Sequence, residues 1–344
     1  MNKLLNLKKA MIKKDLNTTL STPDEWSTFG NMAINFICTG SFTRGIPNRR
    51  LTMMYGLSGS GKSLIMGTIA KNLQEKGYQV IYIDTEDAID PRYLEKIGVD
   101  YQDENKFLPI RLYTLEDLAM ATSEIFNTFS KTDKIAVLVD SLGMLETEDH
   151  AETFEKKGEL KNDMGLFAKR LKKYLKNITS KIGEYDCFFV VNQHAYMNQE
   201  VTNGEGTIIP SGGKGQIFIP SITLKFSKLK LKEGSDIVGI RLRAETEKTR
   251  FFQLGAKTEL NVPYTTGIDP LDGVLELMED YYPEVLGKNG AWYNYVNDDG
   301  DTVKFQSKDF KDHADFLLAK VDKTEITENF DTIEEEMPEE GDQD

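Results

Sequence analysis

Three glycines, three serines and a lysine fall together in Gly56-Leu57-Ser58-Gly59-Ser60-Gly61-Lys62-Ser63. The pattern G-x-x-x-x-G-K-[ST] is suited to cradling phosphates. Gly56, Gly59 and Gly61 let the backbone turn tightly and aim N–H groups inward, with Ser58 and Ser60 in the same cradle. A helix that starts at the lysine presents its positive end to the anion. Lys62 adds a point charge at the β- and γ-phosphates, and the Ser63 hydroxyl is a ligand for Mg²⁺. The loop lies between an apolar run, Leu51–Tyr55, and a helix-forming segment through Glu75, which is the context this motif requires. ATP with Mg²⁺ is the expected cofactor pair.

A triphosphate site also needs a carboxylate on the metal side and a group to orient water. Asp140 closes the apolar run Ile135–Val139, at the carboxyl end of an expected central strand, where it can hold the hydration shell of Mg²⁺. The alternative is a strand-end aspartate that caps the next turn. Glu86, in YIDTEDAIDPRYL, is positioned to polarise an attacking water, but Asp84, Asp87 and Asp90 compete with it on position alone. Gln193, in FFVVNQH, closes another apolar run; its amide can sense a γ-phosphate or be an ordinary loop glutamine.

These residues need a scaffold. From about residue 31 to 265, short apolar runs (51–55, 80–83, 135–139, 188–191) alternate with segments of helical spacing, Leu115 to Phe129 and Phe167 to Ile182 among them. Strands buried on both faces and joined by helices predict an α/β fold with a mostly parallel central sheet. Ile222–Phe226, Gly239–Ala244 and Glu259–Val262, with period-2 alternation in places, read as strands added at one side of it, either parallel or antiparallel. No apolar run approaches the roughly 18–20 residues of a membrane span. Two cysteines, Cys38 and Cys187, both in apolar surroundings, read as buried thiols in a reducing cytosol and exclude a cysteine-based zinc site. The net charge of −14 is mainly a property of residues 322–344, which carry eleven carboxylates and one lysine, net −10, leaving −4 for the rest. A low overall pI therefore does not exclude a nucleic-acid-binding body.

Taken together, the motifs resemble the RecA-type recombinases, and among them the bacteriophage UvsX group. GSFTRGIPNRRLTMMYGLSGSGKS resembles the approach to that family's phosphate loop, YIDTEDAIDPRYLEKIGVD its segment with the catalytic glutamate, and VLVDSLGML its second nucleotide motif. NDMGLFAKRLKKYL follows its first DNA-binding loop, VVNQ precedes its second, and GAWYNY resembles the start of its C-terminal region. The resemblance implies a RecA-like P-loop ATPase core. It assigns Glu86 as base, Asp90 and Tyr93 to the adenine, and Gln193 to the γ-phosphate. Lys248 and Arg250, in EKTR, match cations that reach across a filament interface to the neighbour's γ-phosphate; without the resemblance they read as two solvated cations beyond a strand. The second loop, AYMNQEVTNGEGTIIPSGG, departs from the bacterial pattern and carries two glutamates.

For DNA, the resemblance points to Met164 and Gly165 in the first loop and to Gly212 and Gly213 at the end of the second. Between residues 161 and 181, Lys161, Lys169, Arg170, Lys172, Lys173, Lys176 and Lys181 oppose a single acid, Asp163, for a net +6. Most of them fall on an amphipathic helix, which is either a solvated face or a track for a phosphate backbone. Lys161, Lys169, Arg170 and Lys173 are the candidate contacts. Tyr196 can stack on a base, and Ile208 or Ile209 can wedge between bases.

The expected partition is an N-terminal oligomerisation arm (1–30), the ATPase core with two DNA loops (31–268), a small C-terminal α/β subdomain (269–321) and an acidic disordered tail (322–344). The expected partners are single-stranded DNA, homologous duplex DNA, further copies of the chain in a helical filament, and mediator and single-strand-binding proteins, with no membrane. The expected location is cytoplasmic, in a phage-infected bacterial host by the UvsX likeness. The tail is expected either to compete with duplex DNA for basic surface, or to solubilise or dock a partner. The competing readings are a hexameric DNA helicase motor on the same core, which predicts rings, and an ATP-binding switch whose hydrolysis ignores DNA.

Overall fold

A computed structural model describes residues 3–14, 22–157, 164–198 and 207–321. Lys161 and the acidic segment 322–344 lie outside the described residues, as do residues 15–21 of the leader and 199–206 of the second loop.

The chain opens with α1 (Lys3–Ile12), none of whose residues is buried. A two-residue strand β1 (Trp26–Ser27) follows, then α2 (Met32–Thr39) and β2 (Ile46–Pro47), which pairs with β1. That pairing, with Ser27 and Phe29 buried, packs residues 26–30 onto the core. The core continues with β3 (Leu51–Gly56), α3 (Lys62–Glu75), β4 (Gln79–Asp84), α4 (Pro91–Ile97), β5 (Phe107–Arg111), α5 (Leu115–Thr128) and β6 (Ile135–Asp140). Then come α6 (Glu148–Lys157), α7 (Met164–Ile182), β7 (Cys187–Asn198), β8 (Thr207–Pro210), β9 (Ile222–Glu233), β10 (Asp236–Thr249) and β11 (Lys257–Pro263). The last part holds α8 (Val274–Tyr281), a three-stranded sheet of β12 (Gly287–Asn289), β13 (Trp292–Val296) and β14 (Thr302–Gln306), and α9 (Ala314–Val321).

Among the described residues the main sheet runs β11-β10-β9-β3-β7-β6-β4-β5, with β8 attached to β7. From β9 to β5 every neighbouring pair is parallel, and β10 and β11 are antiparallel additions at one side. Every residue of β3 and β6 is buried, because helices cover both faces of the sheet. On one face Ile65, Ile69 and Leu73 of α3 and Ile34 and Ile37 of α2 pack on Met54, Leu138, Val190 and Leu224; this core continues through α8 and α9 into the C-terminal part. On the other, Leu118 and Ile125 of α5 and Leu171, Leu175 and Ile178 of α7 pack on Met53, Val137, Val139 and Phe189. Trimming a fully buried member such as Leu175 to alanine costs roughly 2–5 kcal/mol.

Local signals set the helix starts. Thr114 accepts from the Asp117 amide and opens α5. Asp90 accepts from the Arg92 amide, with Pro91 at the first helical position, and opens α4. Cys38 and Cys187 are both free and buried. Among the described residues, no helix is long and apolar enough to cross a membrane.

The register gathers the motifs at one end of the sheet. Asp84 and Asp140 are cross-strand partners at the ends of β4 and β6, and Tyr55 and Gly56 pair with Gln193 and His194. In a parallel sheet this carboxyl end is where ligands bind.

Candidate functional site

The phosphate loop runs from the end of β3 into α3. Gly59 and Gly61 have φ of +69° and +83°, a left-handed conformation that a side chain would strain. At Gly56 the constraint is room, since a methyl group there would fall 2.3 Å from the Phe226 carbonyl oxygen. Lys62 is buried, and its ammonium donates to the carbonyls of Gly56 (3.0 Å) and Leu57 (3.2 Å). Burial lowers its pKa, the carboxylates of Asp140 and Glu86 oppose that, and Lys228 adds to it. Lys228 on β9, opposite Leu242 of β10 and two residues past the last pairing with β3, reaches back over the loop: a methyl at Gly59 would lie 2.3 Å from its ammonium. The Ser60 hydroxyl is buried without a hydrogen-bond partner, and Ser58 sits in the same loop. A cradle of left-handed glycines, an ammonium bonded only to loop carbonyls and an orphaned hydroxyl fits a polyphosphate.

Asp140 accepts from the Tyr82 hydroxyl (3.0 Å) and the Asn192 amide (2.9 Å). Burial raises its pKa; these bonds and the Ser63 hydroxyl hold the rise down. Among the described residues no group of three or more His, Cys, Asp or Glu side chains could cage a metal. One carboxylate and one hydroxyl, both hard oxygen donors, suit Mg²⁺, which takes few protein ligands and completes its shell with phosphate and water.

Four acids compete as base on the sequence, and three have local work. Asp84 accepts from the amides of Glu86 and Ile89 and shapes the turn after β4. Asp87 accepts from the Tyr113 hydroxyl and pairs with Arg111. Asp90 caps α4 and pairs with Arg92 at 3.0 Å. Glu86 alone turns toward Lys62, and its Oε1 lies 2.5 Å from His194 Nε2. That hydrogen bond is the largest influence on Glu86 and holds its pKa below the usual carboxylate range, against the opposing effect of burial. Glu86, Asp90, Tyr93, Ser63, Tyr82 and Asp140 line one cleft. The Tyr93 hydroxyl is pushed up to about 12, chiefly by burial, while the residue as a whole is 38 % exposed at the cleft.

Gln193 does not end its strand. β7 runs on to Asn198 and pairs with β8, placing Tyr196 opposite Ile209 on a hairpin, with the Tyr196 side chain 51 % exposed. Gln193 is fully buried, and its amide donates to the Ser211 carbonyl (2.7 Å) and to Gln216 (3.2 Å). Gln193 is thus tied to the foot of the second loop. Gly212 and Gly213 make the turn there in left-handed conformation, and Gly212 approaches Leu171 and Phe167 of α7. The foot of the second loop therefore packs against α7, the helix that begins at Met164. Gly165 has open space around it, and Met164 opens α7. Lys169 and Lys173 are exposed one turn apart on the outer face of α7, whereas Arg170 is engaged by Glu116 (2.9 Å) and Asp149 (2.8 Å).

Lys248 and Arg250 lie elsewhere. Thr249 pairs with Ile222, which pairs with Thr52 near the start of β3. The phosphate loop follows the other end of β3, about 16 Å away at the usual strand rise. Lys248 donates to the Phe218 carbonyl, and the proximity of Arg250 lowers the pKa of both Lys248 and Arg50 after the larger effect of burial. The two therefore sit in a cationic cluster remote from their own phosphate loop.

Sequence reasoning missed Tyr82, Asn192, His194 and Lys228. The first three sit within quoted motifs, one or two residues from a named position. Lys228 was hidden because β9 extends past the apolar run that marked it.

A phosphate loop at the carboxyl end of a parallel sheet, with Asp140 on a neighbouring strand, defines a P-loop nucleotide-binding α/β protein. The chain matches the RecA N-terminal domain family over residues 9–269, and it belongs to that family. It is similar to Protein RecA of Symbiobacterium thermophilum, 27% identical over 268 residues, covering 77% of this chain and 72% of the relative. Protein RecA of Bacillus velezensis is 25% identical over 310 residues, covering 85% and 84%. Protein RecA of Teredinibacter turnerae is 28% identical over 260 residues, covering 74% and 71%.

Proposed function

We propose that this chain is an ATP-dependent DNA recombinase that forms helical filaments on single-stranded DNA and pairs it with a homologous duplex. The observation that carries the reading is the hydrogen bond from Gln193, beside the phosphate loop, to Ser211 at the foot of the second loop. It gives one buried side chain a hold on both the triphosphate end of the sheet and the DNA face, which is the physical requirement for coupling the two affinities.

In this reading Gly56, Ser58, Gly59, Ser60, Gly61 and Lys62 hold the phosphates, Ser63 and Asp140 hold the metal side, and Asp90 and Tyr93 border the adenine. Bound Mg²⁺ would neutralise charge on the phosphate oxygens. Glu86 orients the attacking water. Lys248 and Arg250, too far from their own loop, serve the site of a neighbouring copy. DNA is held by Gly165, Gly212, Gly213, Lys169, Lys173 and Tyr196, together with Met164 and Lys161, through its backbone and base faces. Arg170 can join them only by leaving Glu116 and Asp149. Residues 3–14 act as an arm toward a neighbouring subunit, and mediator and single-strand-binding proteins assist. The resemblance to the phage UvsX group supports a cytoplasmic location in an infected bacterium.

The test is ATPase rate with and without single-stranded DNA, combined with electron microscopy. Stimulation by DNA and helical filaments are expected. Closed rings would point to a hexameric helicase motor, and hydrolysis indifferent to DNA would sink the recombinase reading.

A further inference from the structure

His194 and Glu86 are 108 positions apart, yet His194 Nε2 lies 2.5 Å from Glu86 Oε1. Both side chains are mostly buried, at 24% and 26% exposure, so the pair is not a casual surface contact. Glu86 sits on the turn after β4. His194 sits where β7 leaves the parallel sheet: it is the last residue of β7 paired with β3, and the next, Ala195, already pairs with β8. Its carbonyl accepts from the Ser211 amide at 2.8 Å, so its backbone is fastened to both arms of the hairpin that carries the second loop. Space around it is tight, since a methyl at Gly143 would fall 3.1 Å from the His194 Cβ.

We infer that His194 is a positioning residue that holds Glu86 when the β7–β8 hairpin has the arrangement described here, and that a hairpin shift on binding single-stranded DNA carries His194 away and frees Glu86 to orient water. The inference rests on the ATPase reading of Glu86 and adds to it the element that makes hydrolysis depend on DNA. A carboxylate oxygen already accepting a charge-assisted hydrogen bond is a poorer acceptor for a water proton. His194 thus restrains the base in the DNA-free protein. The hairpin is the movable part, being held to the sheet through one strand, whereas β4 is paired on both sides.

The experiment measures kcat and KM for ATP in full-length protein without DNA and with saturating oligo-dT, for the unaltered chain, His194→Ala, His194→Leu and His194→Gln. Removing the donor should raise the DNA-free kcat by about tenfold, the factor one charge-assisted hydrogen bond supplies, with little change in KM. The ratio of DNA-bound to DNA-free rate should fall accordingly. His194→Gln restores a donor at similar reach and should pull the DNA-free rate back down, which a merely structural role would not do. His194→Leu fills the ring's volume without a donor and keeps the test decisive if alanine disturbs folding. A DNA-free rate that does not rise in either donorless variant, or a glutamine variant that behaves like leucine, overturns the inference while leaving the recombinase reading intact. An unaltered chain whose hydrolysis ignores DNA overturns both.

Discussion

Lys62 donates to the carbonyl of Gly56 at 3.0 Å, so the residue that closes the phosphate loop is bonded to the residue that opens it. The ammonium is buried and its pKa is lowered by that burial, with loop carbonyls taking the place of water. A triphosphate would offer stronger, charged acceptors at the same place. Lys62→Ala should weaken ATP binding by at least about tenfold, the equivalent of one charged hydrogen bond, and abolish nucleotide-dependent binding of single-stranded DNA. Fluorescent-nucleotide titration and DNA anisotropy with and without ATP check both halves.

Glu86→Gln should keep ATP binding and lower turnover by about 10²–10⁴-fold, the usual contribution of a positioned base. Burst and steady-state phosphate release measure it. A variant that hydrolyses ATP normally would return the choice of base to Asp84, Asp87 or Asp90, against the structural work each of them does. The pH dependence has a definite sign. The folded-state pKa of Glu86 lies below its ordinary 4.5, chiefly through the His194 hydrogen bond, so its contribution to stability is present above 4.5 and lost as pH falls through the depressed value. Denaturant unfolding of the nucleotide-free protein between neutral pH and the acid limb should show this component in the unaltered chain and not in Glu86→Gln.

Much of this site was legible from residue order alone because the chemistry demanded contiguous residues. The phosphate loop needs its glycines, lysine and serine in one eight-residue span, and Asp140 announces itself by ending a wholly apolar run. The strands β3, β4 and β6 were legible for a related reason: burial on both faces leaves nothing but apolar side chains to read. What escaped depended on distant partners. His194 meets Glu86 only because β7 and the turn after β4 end on the same side of the sheet. The length of β7 was missed because Asn192, Gln193 and His194 interrupt its apolar run, and the pairing of Tyr196 and Met197 with Ile209 and Ile208 brings together residues that the intervening loop separates in sequence. The commitment of Arg170 to Glu116 and Asp149 needed the packing of three helices, whereas composition showed only a basic stripe.

Asp140 pits stability against function. Burial raises its pKa from the ordinary 3.8, so the folded protein holds the proton more tightly than the unfolded chain. In the absence of metal, its contribution therefore falls as pH rises from about 3.8 through the raised value. Asp140→Asn removes that penalty. Tyr82 can still donate to its oxygen, and the Asn192 Oδ1, buried without a partner, can accept from the new amide if Asn192 flips. The variant should melt higher than the unaltered nucleotide-free protein at neutral pH, with the gap closing toward acid, and should lose about 10²-fold or more in Mg²⁺-dependent ATPase. Thermal melts across pH and a steady-state assay decide it; a variant that melts lower at neutral pH would mean its hydrogen bonds outweigh the cost of burying its charge.

The position of Arg250 makes a prediction about subunits rather than residues. It follows β10, whose Thr249 pairs with Ile222 beside the start of β3, about one strand length, or about 16 Å, from the phosphate loop of its own chain. Arg50, Lys248 and Arg250 crowd there, and like charges at close range favour an anion arriving from outside. If the anion is the triphosphate of an adjoining copy, Arg250→Ala damages the neighbour's site and leaves its own complete. Two chains then distinguish the cases: one carrying Arg250→Ala with an intact loop, the other carrying Lys62→Ala with an intact Arg250. Each alone should be nearly inactive, down by about 10³-fold if Arg250 acts as an arginine finger. Mixed in equal amounts with single-stranded DNA, some interfaces pair an intact loop with an intact Arg250, and ATPase should recover to a substantial fraction of the unaltered rate. Recovery that depends on the mixing ratio supports action between copies; a mixture no more active than the sum of its parts places Arg250 outside the reaction or within its own chain.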